Sequence, residues 1–103
     1  MSDRYIEVNG APVAEPDLAT WARWYESADR QVARTVRLCG EDINVSTVFL
    51  ALDHNFGGTT TLLYESMVFG GPLDGDCERY ATRAEALTGH AAMVARVLAA
   101  GAA

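Results

Sequence analysis

The chain has 103 residues, half of them hydrophobic, which is enough for one domain with a single core. Its 14 acidic residues outnumber the eight basic ones, and the formal net charge is −6. All the cations are arginines scattered along the chain, so we expect no binding to duplex nucleic acid, which needs a basic face. The sequence shows neither a secretory leader nor an apolar run of roughly 20 residues, so we expect a cytoplasmic protein that does not contact membranes.

The first 14 residues are predicted to form a hairpin arm, and a helix is predicted to follow it. Asn9 and Gly10 predict a type I′ turn, because that turn needs a positive φ at both central residues. Helical spacing of apolar residues then predicts a helix over residues 17–32. Its expected buried stripe consists of Leu18, Trp21, Tyr25, Ala28 and Val32, with Trp24 at the edge.

Strands are predicted in the middle of the chain and a second helix at its end. Runs rich in β-branched and aromatic residues predict strands over 35–39, 43–53, 60–69 and 77–81, the middle two forming a hairpin with about nine residues in each strand. Thr82 and Glu85 have capping-box spacing and predict the start of the last helix. Gly101 is expected to end this helix, and residues 99–103 are expected to fray. The expected buried stripe is Ala84, Leu87, Ala91, Val94 and Leu98.

These elements predict a single α+β domain over residues 1–103. A meander of about four antiparallel strands would be packed by an N-terminal and a C-terminal helix in a two-layer sandwich, with the small hairpin beside it. The two middle strands carry apolar residues on both faces, for example Val45 and Phe49 on one face and Val48 and Leu50 on the other. An antiparallel sheet with one solvated face alternates apolar and polar residues instead. We therefore expect a second copy of the chain to cover the second face, in a homodimer or a larger assembly; the alternative cover is the N-terminal hairpin with Tyr5, Ile6, Val8 and Val13.

The most polar point of the predicted hairpin is the run Asp53, His54 and Asn55. Loops at strand ends often carry functional residues, so these three are candidate ligand-binding residues. If the protein is an enzyme, His54 would be the general base of a small hydrolase, oriented by Asp53 or Glu65. The alternative is a plain turn, in which the Asp and Asn side chains bond their own backbone.

Two further side chains are candidate ligand contacts. Glu65 lies among apolar residues of the third strand, where a buried carboxylate must find a partner or raise its pKa. It either contacts a ligand or pairs with an arginine such as Arg37 on a neighbouring strand. Trp24 would either stack on a ligand ring or belong to the core. His90 lies at the margin of the last helix's stripe, and we expect no part in chemistry for it.

The sequence lacks the common signatures of cofactor and metal sites. It contains no GxGxxG, P-loop, HExxH or GxSxG motif. Two histidines, together with Cys39 and Cys77 at no recognisable spacing, do not predict a zinc site, and the thiols are expected to be reduced. We therefore expect no cofactor and no bound metal.

Four segments resemble a group of small, uncharacterised phage and bacterial proteins. They are residues 16–26 (PDLATWARWYE), 45–54 (VSTVFLALDH), 65–71 (ESMVFGG) and 79–90, which runs from Arg79-Tyr80-Ala81-Thr82 to Gly89-His90. The likeness extends over residues 5–97 and implies a phage or prophage setting, hence the cytoplasm of a host cell. The group brings no activity, cofactor or site residue, so no role carries over from it.

The expected function is that of a non-enzymatic, phage-type accessory or binding protein that acts through homo-oligomer surfaces, with a host protein as target. A second interpretation within the binding class is a sponge that captures a small nucleotide signal at a subunit interface. The rival from another class is the hydrolase built on His54. Convergence of His54, Asp53 and Glu65 around a cleft would favour the hydrolase. A capping role for Asp53 and an arginine partner for Glu65 would count against it.

Overall fold

The computed structural model describes residues 3–53 and 60–101, and it confirms the predicted α+β class. In chain order its helices and strands are β1 (Tyr5–Val8), β2 (Ala11–Ala14), α1 (Leu18–Ser27), β3 (Gln31–Thr35), β4 (Asn44–Phe49), β5 (Tyr64–Phe69), β6 (Cys77–Tyr80) and α2 (Arg83–Gly101). Strands β1 and β2 form a hairpin, and the other four form an antiparallel meander in the order β3-β4-β5-β6.

The N-terminal hairpin forms around the predicted turn. Asn9 and Gly10 occupy this turn with φ angles of 51° and 79°. The backbone N–H of Tyr5 donates to the Ala51 carbonyl over 2.8 Å, so the hairpin is bonded to the chain just beyond β4. It therefore packs on the body of the domain.

Helix α1 is shorter than the sequence predicts and ends at Ser27 instead of at residue 32. The Asp29 carboxylate accepts a hydrogen bond from the Gln31 N–H over 3.0 Å, and this turn leads the chain into β3. Val32, which the apolar spacing placed on the helix, therefore lies in a strand.

The inner side of α1 also differs from the predicted stripe. Leu18 and Tyr25 are exposed, although the helical spacing predicts that they are buried. Trp21 and Trp24 pack against the cluster around Phe49 instead. The two indole rings bring the largest apolar area of this helix, and they determine which side of it turns inward.

The strands of the meander are displaced or shortened relative to the predicted ones. The first lies at Gln31–Thr35 instead of 35–39, and Leu38–Gly40 forms one turn of 3-10 helix. Strands β4 and β5 have six residues each, where the sequence predicts about nine. Ala51 adopts a left-handed φ of 65°, which ends the extended run of β4. Strand β6 begins at Cys77, as predicted.

Helix α2 begins with the predicted capping box but buries a different stripe. The Glu85 N–H donates to Thr82 Oγ1 over 3.1 Å, and the Thr82 N–H donates to Glu85 Oε1 over 3.2 Å. Leu87 and Leu98 are each 46% exposed, against the prediction. Alanines lie on every side of this helix, so apolar spacing alone does not define its inner face. Its buried residues are Ala86, His90, Met93 and Val97, and the helix continues through residues 99–101, where the sequence predicts fraying.

One face of the meander carries the core. The Trp24 ring meets Phe49 edge-on at a centroid distance of 5.6 Å, and the Tyr64 hydroxyl donates to Glu7 of the hairpin over 2.7 Å. Met93 and Val97 of α2 lie in one cluster with Val45 and Val68, so both helices and the hairpin contact this face, which we call the helix face. Its buried strand residues are Val45, Thr47, Phe49, Tyr64, Ser66 and Val68.

Candidate functional site on the open face of the sheet

The second face of the meander, here called the open face, presents side chains in rows across the strands. The contacts of α1, α2 and the hairpin described above reach the helix face, and Phe69 on the open face is 48% exposed. As far as residues 3–53 and 60–101 are concerned, the open face is therefore accessible surface. The first row is Gln31, Val48, Glu65 and Arg79; the second is Arg34, Ser46, Met67 and Cys77; the third is Asn44 and Phe69.

Val48, Met67 and Phe69 form an apolar centre on the open face. Met67 and Phe69 are two positions apart on β5 and so point the same way, while Val48 lies diagonally across from Met67 on β4. Polar and charged side chains of the three rows surround them. An apolar patch with a polar rim is typical of a protein–protein contact surface. The patch is smaller than the sequence predicts, because Leu50 and Leu52 lie beyond the end of β4.

Glu65 pairs with an arginine, but not with Arg37. The Arg79 Nε donates to Glu65 Oε2 over 2.9 Å, directly across the β5–β6 pair. Arg37 lies at the start of the 3-10 turn in a left-handed conformation. Burial, and then the charge of Glu65, raises the pKa of the neighbouring Cys77 thiol. Cys77 is therefore protonated at neutral pH and behaves as a small hydrophobic side chain.

Arg34 brings a second cation to the open face. It lies on β3 opposite Ser46 and is exposed, and its side chain makes no hydrogen bond or ion pair within residues 3–53 and 60–101. Nearby, Gln31 donates from Nε2 to Ser46 Oγ and to the Thr47 carbonyl, both over 3.0 Å. The open face is thus more basic than the protein as a whole, whose net charge is −6.

The two carboxylates that would orient the base of the predicted hydrolase each form a hydrogen bond with another group. Asp53 Oδ1 accepts a hydrogen bond from the Leu62 N–H over 3.3 Å, which closes the base of the β4–β5 connection. Glu65 is bonded to Arg79, as described above. His54 and Asn55 lie outside the described residues. The ion pair of Glu65 is thus observed, whereas the catalytic and turn interpretations of residues 53–55 stay predictions.

Trp24 belongs to an aromatic cluster of the core. Phe49, against which it packs, also contacts Tyr64 at a centroid distance of 5.2 Å. Its neighbour Trp21 donates from Nε1 to the carbonyls of Tyr5 and Ala51 over 3.1 and 3.3 Å. These contacts place both indoles in the packing of α1 against the sheet.

His90 is buried between two hydroxyl partners, and the sequence prediction places it at a margin instead. Its Nε2 lies 2.9 Å from Thr35 Oγ1, and its Nδ1 lies 2.7 Å from Thr47 Oγ1. Thr47 Oγ1 also bonds Ser66 Oγ, so a continuous polar chain crosses β3, β4, β5 and α2. Burial lowers the pKa of His90, which keeps the imidazole neutral in the folded protein at pH 7.

This chain of hydroxyls and imidazole orders the core and does not form an active site. A serine, a threonine and a histidine are the groups of a nucleophile and its base, but Thr47 and Ser66 are fully buried. No substrate reaches them in this conformation. The sequence signal for the network is the recurrence of hydroxyl residues at Thr35, Thr47 and Ser66 on the helix face, where apolar side chains are the rule.

A groove of about 440 Å³ lies between β6 and the first turns of α2. A Cβ atom at Gly89 would come within 2.2 Å of Tyr80 Cε1, so only glycine lets this ring lie against the helix as it does. The Tyr80 hydroxyl is buried and has no hydrogen-bond partner in the described part of the chain. A glycine inside a long alanine-rich helix is the sequence signal for such a close approach. The lining residues are Tyr80, Ala84, Glu85, Thr88 and Gly89.

Among residues 3–53 and 60–101, no group of three or more His, Cys, Asp or Glu side chains is arranged to hold a metal ion. Cys39 and Cys77 are both free and exposed. Neither α1 nor α2 has the length and apolar character needed to span a bilayer.

Fold and site together define a class: a small α+β domain whose antiparallel meander is covered by helices on one face and, in the described part of the chain, open on the other. No family model, curated protein or solved structure matches this chain. The resemblance to small phage proteins therefore stays a prediction that rests on the four sequence segments alone.

Proposed function

We propose that the protein is a non-enzymatic binding protein that works as a homodimer joined through the open faces of two meanders. The observation that carries the proposal is the apolar centre of Val48, Met67 and Phe69 on a sheet whose other face packs on the helices. Exposed apolar patches with a polar rim mark contact surfaces. A second copy would cover the patch with the same residues, as in the commonest oligomers.

The dimensions of the molecule support this arrangement. Its extents are 48 × 29 × 20 Å, and its radius of gyration is 15.0 Å, against roughly 13 Å for a compact domain of about 100 residues. The shortest extent corresponds to one sheet and one helix layer, since packed layers are about 10 Å apart. Stacking two open faces would add the missing layer in the manner of a β-sandwich.

The size of the open face predicts a weak dimer. Four strands at a spacing of about 4.8 Å and six residues at about 3.3 Å give a footprint of roughly 380 Å² per protomer. A standard interface buries about 800 Å² per partner. The charges of Arg34, Glu65 and Arg79 add a desolvation cost. We therefore expect reversible association in the micromolar range.

Sedimentation velocity over about 1–200 µM tests the dimer. We expect the average mass to rise with concentration from that of the 11.1-kDa monomer towards the dimer mass. Phe69→Arg places a charge in the apolar centre and should raise the dissociation constant at least about tenfold. Leu87→Arg is the matched control, because Leu87 is 46% exposed, close to the 48% of Phe69, but lies on the outer side of α2. A constant monomer mass, or equal loss in both variants, would contradict the proposal.

Arg34 favours a second candidate function, the capture of a small anionic nucleotide between two open faces. A guanidinium without a partner that enters a dry interface needs an anion, and a phosphate group suits it. Phe69 of the same face offers a ring on which a base can stack. This candidate predicts that adenine or guanine nucleotides tighten the dimer of the wild type and not that of Arg34→Gln. The absence of any nucleotide effect on sedimentation would exclude it.

The setting that we propose is the cytoplasm of a phage-infected host cell, with a host protein as target. This part of the proposal rests on the resemblance of the quoted segments. A pull-down from infected lysate with the wild type and with Phe69→Arg tests it. We expect a specific host protein with the wild type; capture of nothing by either form would contradict the setting.

A further inference from the structure

We infer that the free edge of β6, together with the groove beside it, binds an extended peptide segment of a partner protein as an added strand. The inference deepens the proposed function and rests on its premise that the protein acts by binding. It assigns the target's contact to the edge of the meander and leaves the open face to the second copy.

Among residues 3–53 and 60–101, no backbone group bonds the outward N–H and carbonyl groups of β6 along this edge. Strand β6 pairs with β5 and is the last strand of the meander. The Val68 N–H donates to the Asp76 carbonyl over 2.9 Å, so in the alternating antiparallel pattern Glu78 bonds towards β5 as Asp76 does. Cys77 and Arg79 then direct their N–H and carbonyl groups outward. Such a row of free groups is a template for a further strand.

The groove is placed to receive one side chain of the added strand. It lies on the helix-face side of the edge, where Tyr80 of β6 faces α2. A side chain opposite Tyr80 would enter between this ring and Ala84, which suits an apolar residue.

Charge specifies a second position of the peptide. Glu78 is on the same side as Tyr80, two residues away, and is 52% exposed at its side chain. Its contact with Arg96, at 3.7 Å between two exposed side chains, is a weak one. A basic residue of the added strand opposite Glu78 would gain a stronger pair. The expected segment therefore carries an apolar and a basic residue two positions apart.

A second copy of β6 is a poor occupant of the same edge. In a symmetric antiparallel pair of two β6 strands, the residues that bond outward are Cys77 and Arg79. Each of them must therefore lie opposite Cys77 or Arg79 of the other copy. Centring the pair on Glu78 sets glutamate against glutamate, and centring it on Arg79 sets arginine against arginine. Centring it on Cys77 sets Asp76 against Glu78. Like charges directly opposite each other destabilise a strand pair, so every such register is disfavoured.

Selection from a displayed library of short random peptides, followed by fluorescence anisotropy of the enriched sequences, tests the inference. Arg79→Pro removes the outward N–H and spares the β5 ladder, since proline is tolerated on the free side of an edge strand. It should weaken binding at least about tenfold, while Arg79→Ala, which keeps that N–H, should change it by less than about threefold. Ala84→Phe fills the groove and should act like Arg79→Pro; Ala91→Phe, on an exposed position outside the groove, is its control.

N-methylated peptides give the same readout without any change in the protein. Methyl groups on the alternate amides that face β6 should abolish binding, and methyl groups on the other amides should not. Failure to enrich any peptide, or equal binding to Arg79→Pro and Ala84→Phe as to the wild type, would overturn the inference. Because Arg79 also lies on the open face, its side chain is lost in both variants; loss of the dimer in Arg79→Pro but not in Arg79→Ala would assign the edge to a second copy and also overturn the inference. Anisotropy measured in Phe69→Arg separates peptide binding from dimerisation, so the two proposals can fail independently.

Discussion

His90 contacts the hydroxyls of Thr35 and Thr47 through its two ring nitrogens. In a neutral imidazole one of these nitrogens donates a hydrogen bond and the other accepts one, whereas a doubly protonated imidazole turns a donor towards each hydroxyl. Burial is the cause of the lowered pKa of His90. The stability of the core thus depends on the protonation state of His90.

We predict a loss of stability in mild acid that depends on His90. The unfolded state takes up a proton near the ordinary pKa of about 6.5, and the folded state takes it up only at a lower pH. The free energy of unfolding should therefore be constant above this pKa and fall as the pH drops below it, down to the folded pKa. Urea unfolding between pH 8 and pH 5 measures the slope. His90→Gln should remove it and His54→Ala should keep it; the reverse result would assign the slope to His54.

Thr82 is a single residue whose contribution can be isolated. Its hydroxyl accepts the Glu85 N–H over 3.1 Å at the start of α2. We predict that Thr82→Ala lowers the free energy of unfolding by about 1 kcal/mol in urea titration. Thr88→Ala, in an exposed position of the same helix, should not lower it. Equal losses in the two variants would show that the capping box adds nothing.

At the scale of the element, short-range signals in the sequence define where structure begins. The Asn9-Gly10 turn, the capping box of Thr82 and Glu85, and the start of β6 at Cys77 all follow from neighbouring residues. The end of α1 and the position of β3 do not, because the turn at Asp29 competes with helical spacing that continues past it. At this point the hydrogen bond of the Asp29 side chain favours a turn and the apolar spacing favours a helix, and the turn forms.

The inner side of α2 could not be predicted, for a different reason. Its alanines leave two stripes of similar hydrophobicity, one with Leu87 and Leu98 and one with Met93. The choice between them depends on what lies beneath the helix, and the hydroxyls of Thr35 and Thr47 select the stripe that contains His90. Contacts between residues that are far apart in the sequence therefore decide which stripe of α2 is buried, and no short segment of the sequence reveals them.

Truncations on the two stripes test this orientation of α2. Met93 is 1% exposed and packs in the cluster with Val45 and Val68. We predict that Met93→Ala costs about 2–5 kcal/mol, because it leaves a cavity. Leu87→Ala, at a side chain that is 46% exposed, should cost no more than about 0.5 kcal/mol. Chemical denaturation of both variants measures the difference, and a larger cost for Leu87→Ala would restore the stripe that the spacing predicts.

The candidate sites were predictable to different degrees. The lack of alternation in the middle strands indicates a second apolar face, and Val48, Met67 and Phe69 are found there. The pairing of Glu65 with an arginine follows from the cost of burying a carboxylate, but the identity of that arginine requires the β5–β6 register. The groove at Tyr80 depends on a contact between β6 and α2, of which the sequence shows only an unexplained glycine.

At the scale of the whole molecule, one carboxylate joins three parts of the chain. Glu7 of β1 accepts the Tyr64 hydroxyl of β5 over 2.7 Å, and it accepts Arg83 Nη1 of α2 at 3.1 and 3.0 Å. Burial, and then the bond to Glu7, raises the pKa of Tyr64, so its phenol is a neutral donor at physiological pH. This cluster holds the hairpin on the helix face and keeps it away from the open face.

We predict that Glu7→Gln lowers the free energy of unfolding by about 1–3 kcal/mol, since it weakens hydrogen bonds to a charged group that is largely buried. Glu78→Gln is the control: its pair with Arg96 is exposed and 3.7 Å long, so its loss should cost no more than about 1 kcal/mol. Urea unfolding gives both values, and amide exchange in β1 and β2 should accelerate in the first variant only. Because Glu7 acts on the helix face, its replacement should leave the dissociation constant of the dimer within about threefold. A larger change would show that the hairpin competes with the second copy for the open face.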